Sequence, residues 1–343
     1  MKSLAHRISK IVMVSALLTI GTAFSQTTLV IAGEAGGAAN DFLEDYVIPL
    51  FQEAHPEYTV VVEPGLSMEQ LGKVRAGVPI DIVLLEGDDL VNLARDEGLL
   101  QEVDYSALTN ADAYPDFAVR DDGYGIASTL NMPVIAYNPD VLESAPTSWL
   151  APLTEEFAGR SVLVHISRGD GTQAQLMMAF ELGGSETDVQ GMLDYVAENK
   201  DNLLTMTDSS STFSQLFERG EAVIGTINLK RVVEYEAQGI SMAAAVPGGR
   251  TIANMNFLAI PATSQNVEGA LLLMDFMLSK EIQVEQGVQV GNLSPRNDVP
   301  FPENVSALLD YPIEEIEFID GIDWQYVADN KADWVDAWNR IFQ

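Results

Sequence analysis

The sequence contains no cysteine. No disulfide staples the fold, no thiolate is present as nucleophile or metal ligand, and a lipid-anchored exported form, which needs a cysteine, is not expected. Histidine is almost as scarce, occurring only at positions 6, 55 and 165. The first lies in the N-terminal segment, and two separated histidines are poor material for a metal site. His165 sits inside an apolar strand, where a packed or hydrogen-bonded ring is expected rather than a base. The sequence has no G-x-S-x-G, no H-E-x-x-H and no P-loop, and "GEAGGAAN" (33–40) lacks the dinucleotide-binding spacing. No enzyme, cofactor or metal centre is therefore expected. Basic residues are few, 18 Lys and Arg against 51 Asp and Glu for a net charge of -33. Nucleic-acid binding needs a basic footprint, and none is visible. The acidic excess reads as a solvated shell that keeps the chain soluble, a pattern also suited to high salt. Beyond the N-terminus no run of 18 apolar residues occurs, so no later membrane span is expected.

Residues 1–25 differ from the rest. "MKSLAHRISK" carries Lys2, Arg7 and Lys10 and no acidic residue. An apolar run, "IVMVSALLTIGTAF", follows, with small residues at Ala23 and Ser25. This is the order of a cleaved secretory signal, and the run is short for a membrane anchor. A free, exported chain points to the periplasm.

The 343 residues suffice for two domains. Strand and helix patterns alternate along them. Residues 27–33, 58–64 and 80–87 are buried-strand runs. Between them lie amphipathic stretches at 41–55, with Asn40 or Asp41 as N-cap, and at 68–77, stopped by Gly77. A third helix follows at Asp88 or Asp89. The grammar restarts with a strand at 160–166 and a helix from Thr172, and Gly220 closes a helix before another strand at 222–226. Such alternation predicts an α/β fold of two units, each a mostly parallel sheet flanked by helices. Ligands of such sheets bind at loops beyond the carboxyl ends of the strands. Near the C-terminus, Trp334 and Trp338 stand four residues apart and are expected to share a buried helix face.

Several stretches, taken in order, resemble the periplasmic solute-binding proteins of ABC importers, in particular the spermidine/putrescine-binding-like branch. They include "LVIAGEAGGAANDFLEDYVIPLFQEAHPEYTVVV", "IDIVLLEGDDLVNLARDEGLLQEVD" and "GYGIASTLNMPVIAYNPDVL". Further along come "APTSWLAPLTEEFAGRSVLV", "GEAVIGTI" and "MNFLAIPATSQNVEGALLLMDFMLSKE". The resemblance covers about residues 27–340. It implies a bilobal fold joined by crossover strands, with lobe 1 at 26–133 and 257–303 and lobe 2 at 134–256 and 304–343. It also implies a monomer that closes on a small-molecule ligand in the interlobe cleft, and a membrane permease and ATPase as partners.

Matching the sequence to that pattern puts four segments at the cleft: Gly33 to Gly37, Glu86 to Asp89, Ser167 to Thr172 and Thr251 to Asn256. The candidate ligand-binding residues are Glu34, Gly36, Glu86, Asp88, Asn131, Ser167, Arg168, Thr172, Thr226, Asn228, Asn254 and Asn256. Polyamine binders of this branch carry Trp and Asp where Asn254 and Asn256 stand, and carboxylates near Ser167 and Arg168. A chain of ammonium groups needs aromatic walls and carboxylates. Here Glu34, Glu86 and Asp88 suit an ammonium group, whereas Arg168 and the amides at a helix start suit an anion. The resulting reading is a carrier of a small polar amine or zwitterion. The alternatives are a polyamine carrier, a ferric-iron or anion-dependent carrier, an enzyme on the same fold, and a receptor that serves a sensor. Asp88 also fits a helix N-cap, Asp170 a partner of Arg168, and Arg231 a partner of Glu234. An iron carrier would want adjacent tyrosines, whereas Tyr124, Tyr137 and Tyr235 are isolated in sequence.

Overall fold

Short Val-, Ile- and Leu-rich runs form two sheets. The computed structural model describes residues 26–33, 37–319 and 321–343, so the expected secretory signal at 1–25, Glu34 and Gly36 lie outside the described residues. The first sheet contains β1 (Thr27–Ala32), β2 (Tyr58–Glu63), β3 (Ile82–Glu86), β4 (Leu100–Gln101), β5 (Ile126–Asn131) and the late strand β12 (Asn254–Pro261). Its order is β2-β1-β3-β12-β4, with β5 also beside β12. The second contains β6 (Pro133–Tyr137), β7 (Ser161–Val164), β8 (Thr205–Thr207), β9 (Ile224–Asn228) and β10 (Ala243–Ala245), in the order β10-β6-β9-β7-β8. A small pair, β11 (Arg250–Ile252) with β13 (Glu317–Ile319), completes the strands described.

The parallel pairing expected from strand-helix alternation holds for β2-β1-β3 and for β9-β7-β8. The remaining pairings are antiparallel: β12 against β3, β4 and β5, and β6 against β9 and β10. Each sheet is therefore mixed rather than mostly parallel. The chain passes between the sheets three times. Only Met132 separates β5 from β6, and only Ala253 separates β11 from β12. In the third passage, Leu293 exchanges backbone hydrogen bonds with Leu130, and Leu308 and Asp310 bond to Ala244.

The core holds fully buried Leu29, Ile31, Phe51, Ile82 and Leu85 around the first sheet, and Leu163, Met178 and Trp338 behind the second. Each such side chain contributes about 2 kcal/mol of burial. Trp334 and Trp338 do share the buried face of the helix Trp324–Ile341, and the Trp338 indole N–H donates to Met206 Sδ at 2.9 Å. Gly77 and Gly220 take left-handed φ values just past their helices, as expected. Two N-caps differ from expectation. Gly37 (φ 81°) and Gly87 (φ 87°) occupy the cap positions, so Asn40, Asp41, Asp88 and Asp89 fall inside the first turns. A positive φ lets the chain turn into the helix earlier than a side-chain cap would. Asn40 uses its Nδ2 to reach Glu44 instead.

Candidate functional site

Beyond the end of β7 the chain turns at Ser167 and enters the helix Gly169–Glu181, with Arg168 in extended conformation at its N-cap. The buried Thr172 hydroxyl donates within this turn, 2.6 Å from the Ile166 carbonyl and 2.9 Å from that of Arg168. The two glycines have different reasons to be there. A Cβ on Gly171 would lie 2.0 Å from the His165 carbonyl oxygen, so only glycine allows the helix to start against the strand end. A Cβ on Gly169 would lie 3.4 Å from Glu86 Oε1, an approach between the two sheets' loops. The backbone amides of Gly169 and Asp170 have no acceptor among the described residues and mark the positive end of the helix.

Arg168 is held firmly. Its Nε and Nη2 donate to the two oxygens of Asp170 at 2.9 and 2.8 Å, and Nη1 donates to the Asp208 carbonyl and the Ser210 hydroxyl. A guanidinium has five N–H donors, so one remains for a ligand. Asp170 is only 3% exposed and also accepts the Gly171 amide. Burial alone would lower the Arg168 pKa, but the Asp170 carboxylate, with a smaller contribution from Glu86, outweighs it and holds the group above its ordinary value. Arg231 lies near enough to Arg168 for their charges to oppose each other, and it is neutralised by Glu234 at 2.5 Å. Tyr235 lies within electrostatic reach of both arginines and donates to the Ser210 carbonyl at 2.8 Å; burial raises its pKa. Asp208, Ser210 and Tyr235 were not among the residues expected at the site. The signal for the first two was "TDSSSTF", a run of hydroxyl and acidic residues between a strand and a helix capped by Ser209.

The facing wall comes from β3 and β12. Their register sets Glu86 opposite Asn256, and β12 pairs Asn254 with Asn131 and Asn256 with Thr129 on β5. Asn254 Nδ2 donates to Glu86 Oε1 at 3.1 Å, while its buried Oδ1 has no donor among the described residues and the residue is 5% exposed. A buried acceptor left unpaired costs about 1–3 kcal/mol. The Glu86 carboxylate, the buried Asn254 oxygen and the start of the helix at Gly169 are thus brought together, with Arg168 and the exposed Ser167 just before that helix.

The other expected residues have different occupations. Asn131 Oδ1 accepts from the amides of Met132 and Lys230, tying the first passage to the helix Leu229–Ala237. Asn228 caps that helix by accepting the Arg231 amide at 3.2 Å. Thr226 is fully buried, its hydroxyl accepting the Val164 amide. Asp88 is engaged elsewhere. It accepts from Arg120 and lines a separate open groove of about 600 Å³ with Asn92, Asp116, Phe117, Arg120 and Trp324. Burial raises its pKa despite the arginine. Among the described residues, no group of three or more His, Cys, Asp or Glu is arranged to hold a metal ion.

Residues 48–312 match the family model for bacterial extracellular solute-binding proteins. The chain belongs to that family. This solute-binding protein is 26% identical over 249 residues to the spermidine/putrescine-binding periplasmic protein of Escherichia coli K12, covering 68% of this chain and 69% of that one. Its fold is similar to an ABC transporter structure from Clostridium perfringens, with a TM-score of 0.77, 24% identity and coverage of 92% and 100%. It is equally similar to the spermidine/putrescine ABC transporter substrate-binding protein PotD of Streptococcus pneumoniae, with a TM-score of 0.77, 19% identity and coverage of 93% and 100%. The solute-binding protein shares their two-lobed α/β architecture, each sheet flanked by helices.

Proposed function

We propose that this solute-binding protein captures a short zwitterion, an amine that also carries a carboxylate, between the two sheets and delivers it to an ABC permease and its ATPase. The observation that carries this reading is the buried Asn254 Oδ1, unpaired among the described residues, beside the Glu86 carboxylate and set against the Gly169 end of a helix. An ammonium group would donate to Asn254 and Glu86. A carboxylate would accept from the Gly169 and Asp170 amides and the remaining Arg168 N–H. The proposed contacts are Glu86, Ser167, Arg168, Asn254 and Asn256, with Glu34 and Gly36, which follow β1 in the sequence. The lobes are taken as 26–133 with 257–303, and 134–256 with 304–343, and they close about Met132 and Ala253. A ligand that touches both lobes favours the closed state by its differential affinity. The same reading makes the chain a monomer without catalytic activity or nucleic-acid partner, exported to the periplasm after cleavage near residue 25. No helix among the described residues is long and apolar enough to cross a membrane.

A polyamine is the second reading, favoured by the printed function of the E. coli relative. The amides at 254 and 256 and the Arg168 N–H left for a ligand favour a ligand of mixed charge instead. A thermal-shift screen over polyamines, amino acids, aminophosphonates and sugars tests the choice, because a ligand that binds only the folded state raises the midpoint. Stabilisation by zwitterions is expected; stabilisation only by a diamine, a dianion or a neutral sugar would overturn it.

A further inference from the structure

His165 leaves β7 just before the Ser167 turn and touches two elements. Its Nδ1 lies 3.1 Å from the Ser167 amide nitrogen and 2.8 Å from the Ser167 hydroxyl. Its Nε2 lies 3.1 Å from Asn339 Oδ1 on the C-terminal helix, and the ring meets Trp338 edge-on at 6.5 Å. A backbone amide can only donate, so Nδ1 must be the unprotonated nitrogen and Nε2–H donates to Asn339. The ring therefore closes the side-chain turn that an Asn or Asp forms with the amide two residues on. In this state both Ser167 donors, N–H and O–H, point at the ring. The exposed hydroxyl offers only lone pairs outward.

We propose that His165 is a positioning residue that sets the polarity of Ser167: with a neutral ring Ser167 shows an acceptor to the ligand, and with a protonated ring it shows donors. A proton on Nδ1 would be donated to the Ser167 oxygen. It would displace the Ser167 N–H and O–H from the ring, and it adds a positive charge beside Arg168. All three changes favour a carboxylate at the helix start. The charged groups nearest in sequence to the residues that touch the ring are Arg168 and Asp170 on its own turn, Asp208 after β8, and Asp336 and Arg340 on the C-terminal helix that carries Asn339. Ser167 as a ligand contact rests on the proposed function above, but the tautomer and the Ser167 bond do not.

The test has two arms. Long-range nitrogen–proton NMR of the full-length mature chain reads the ring directly, and His165→Asn assigns its signals. The expected result is the Nε2–H tautomer at about pH 7.5, with the Ser167 amide shifting on acidification to about pH 5. In His165→Asn, where the Asn oxygen keeps the turn, that shift is absent. A neutral ring protonated on Nδ1, or a Ser167 amide indifferent to pH, overturns the proposal. The second arm measures 4-aminobutanoate, which keeps both charges across this range. Affinity is expected to rise about threefold or more on acidification in the wild type and to stay flat in His165→Asn. A fall, or an equal response in the variant, overturns the polarity switch. Absence of 4-aminobutanoate binding at every pH together with the expected NMR result counts against the proposed ligand class and leaves the His165 tautomer standing.

Discussion

Replacing Arg168 by alanine is the obvious way to ask whether this turn holds a ligand, yet the structure predicts that its first effect is on folding. Asp170 is 3% exposed and receives two guanidinium bonds at 2.8 and 2.9 Å; without them its carboxylate keeps only the Gly171 amide. Stranding a buried charge in this way costs about 3 kcal/mol. For a chain of this size that is a fall of roughly 6 °C in Tm, at about 2 °C per kcal/mol. Arg168→Ala also frees the Asp208 carbonyl and the Ser210 hydroxyl, which orient the next helix. The clean experiment is a double-mutant cycle in urea with Arg168→Ala, Asp170→Ala and the pair. Removing both charges leaves no stranded group, so the double variant should be more stable than the summed single losses by about 2 kcal/mol. Additivity to within about 0.5 kcal/mol would refute the account of this turn. It follows that a loss of ligand affinity in Arg168→Ala alone says little about direct contact.

The two glycines of the turn should part company. Gly171→Ala drives a Cβ into the His165 carbonyl and should lower stability by about 3 kcal/mol in chemical unfolding, whereas Gly169→Ala should leave stability nearly unchanged and weaken ligand binding. At the edge of the first sheet, burial alone would raise the Asp122 pKa, but hydrogen bonds from Arg120 and Arg95 win and bring it down to about 2. A depressed carboxylate stabilises the fold above its unfolded value and loses that contribution as pH falls from about 4 to about 2. Asp122→Asn should therefore cost roughly 2 kcal/mol at neutral pH, and the gap from wild type should close in acid unfolding curves.

Much of the fold could be read in the sequence because local signals governed it. The apolar runs of β1, β3, β7 and β9, the left-handed glycines at 77 and 220 and the tryptophan pair on the last helix all act through near neighbours. The same holds for the turn at Ser167–Thr172 and for His165 as a hydrogen-bonded ring. What local pattern did not show was which polar side chains the fold itself uses. Arg168 meets Asp208 and Ser210 some forty residues away, and Asn131 holds the Lys230 amide across the passage between sheets. Thr226 reads as a site residue until β9 places its hydroxyl inside the sheet. The open oxygen of Asn254 depends on the register of β12 with β3, which no single segment encodes. The crossover strands were expected, but their antiparallel direction was not read, because their partners are set by the passage between sheets.

The central claim is that the cleft takes opposite charges at its two ends. Titration calorimetry with a matched pair tests it most directly: putrescine, and 4-aminobutanoate, which keeps the four-carbon chain and replaces one ammonium by a carboxylate. The account predicts heat and saturation with 4-aminobutanoate, at least tenfold weaker binding of putrescine, about 1.4 kcal/mol, and loss of the preference in Asn254→Ala. Tighter binding of putrescine than of 4-aminobutanoate would contradict it.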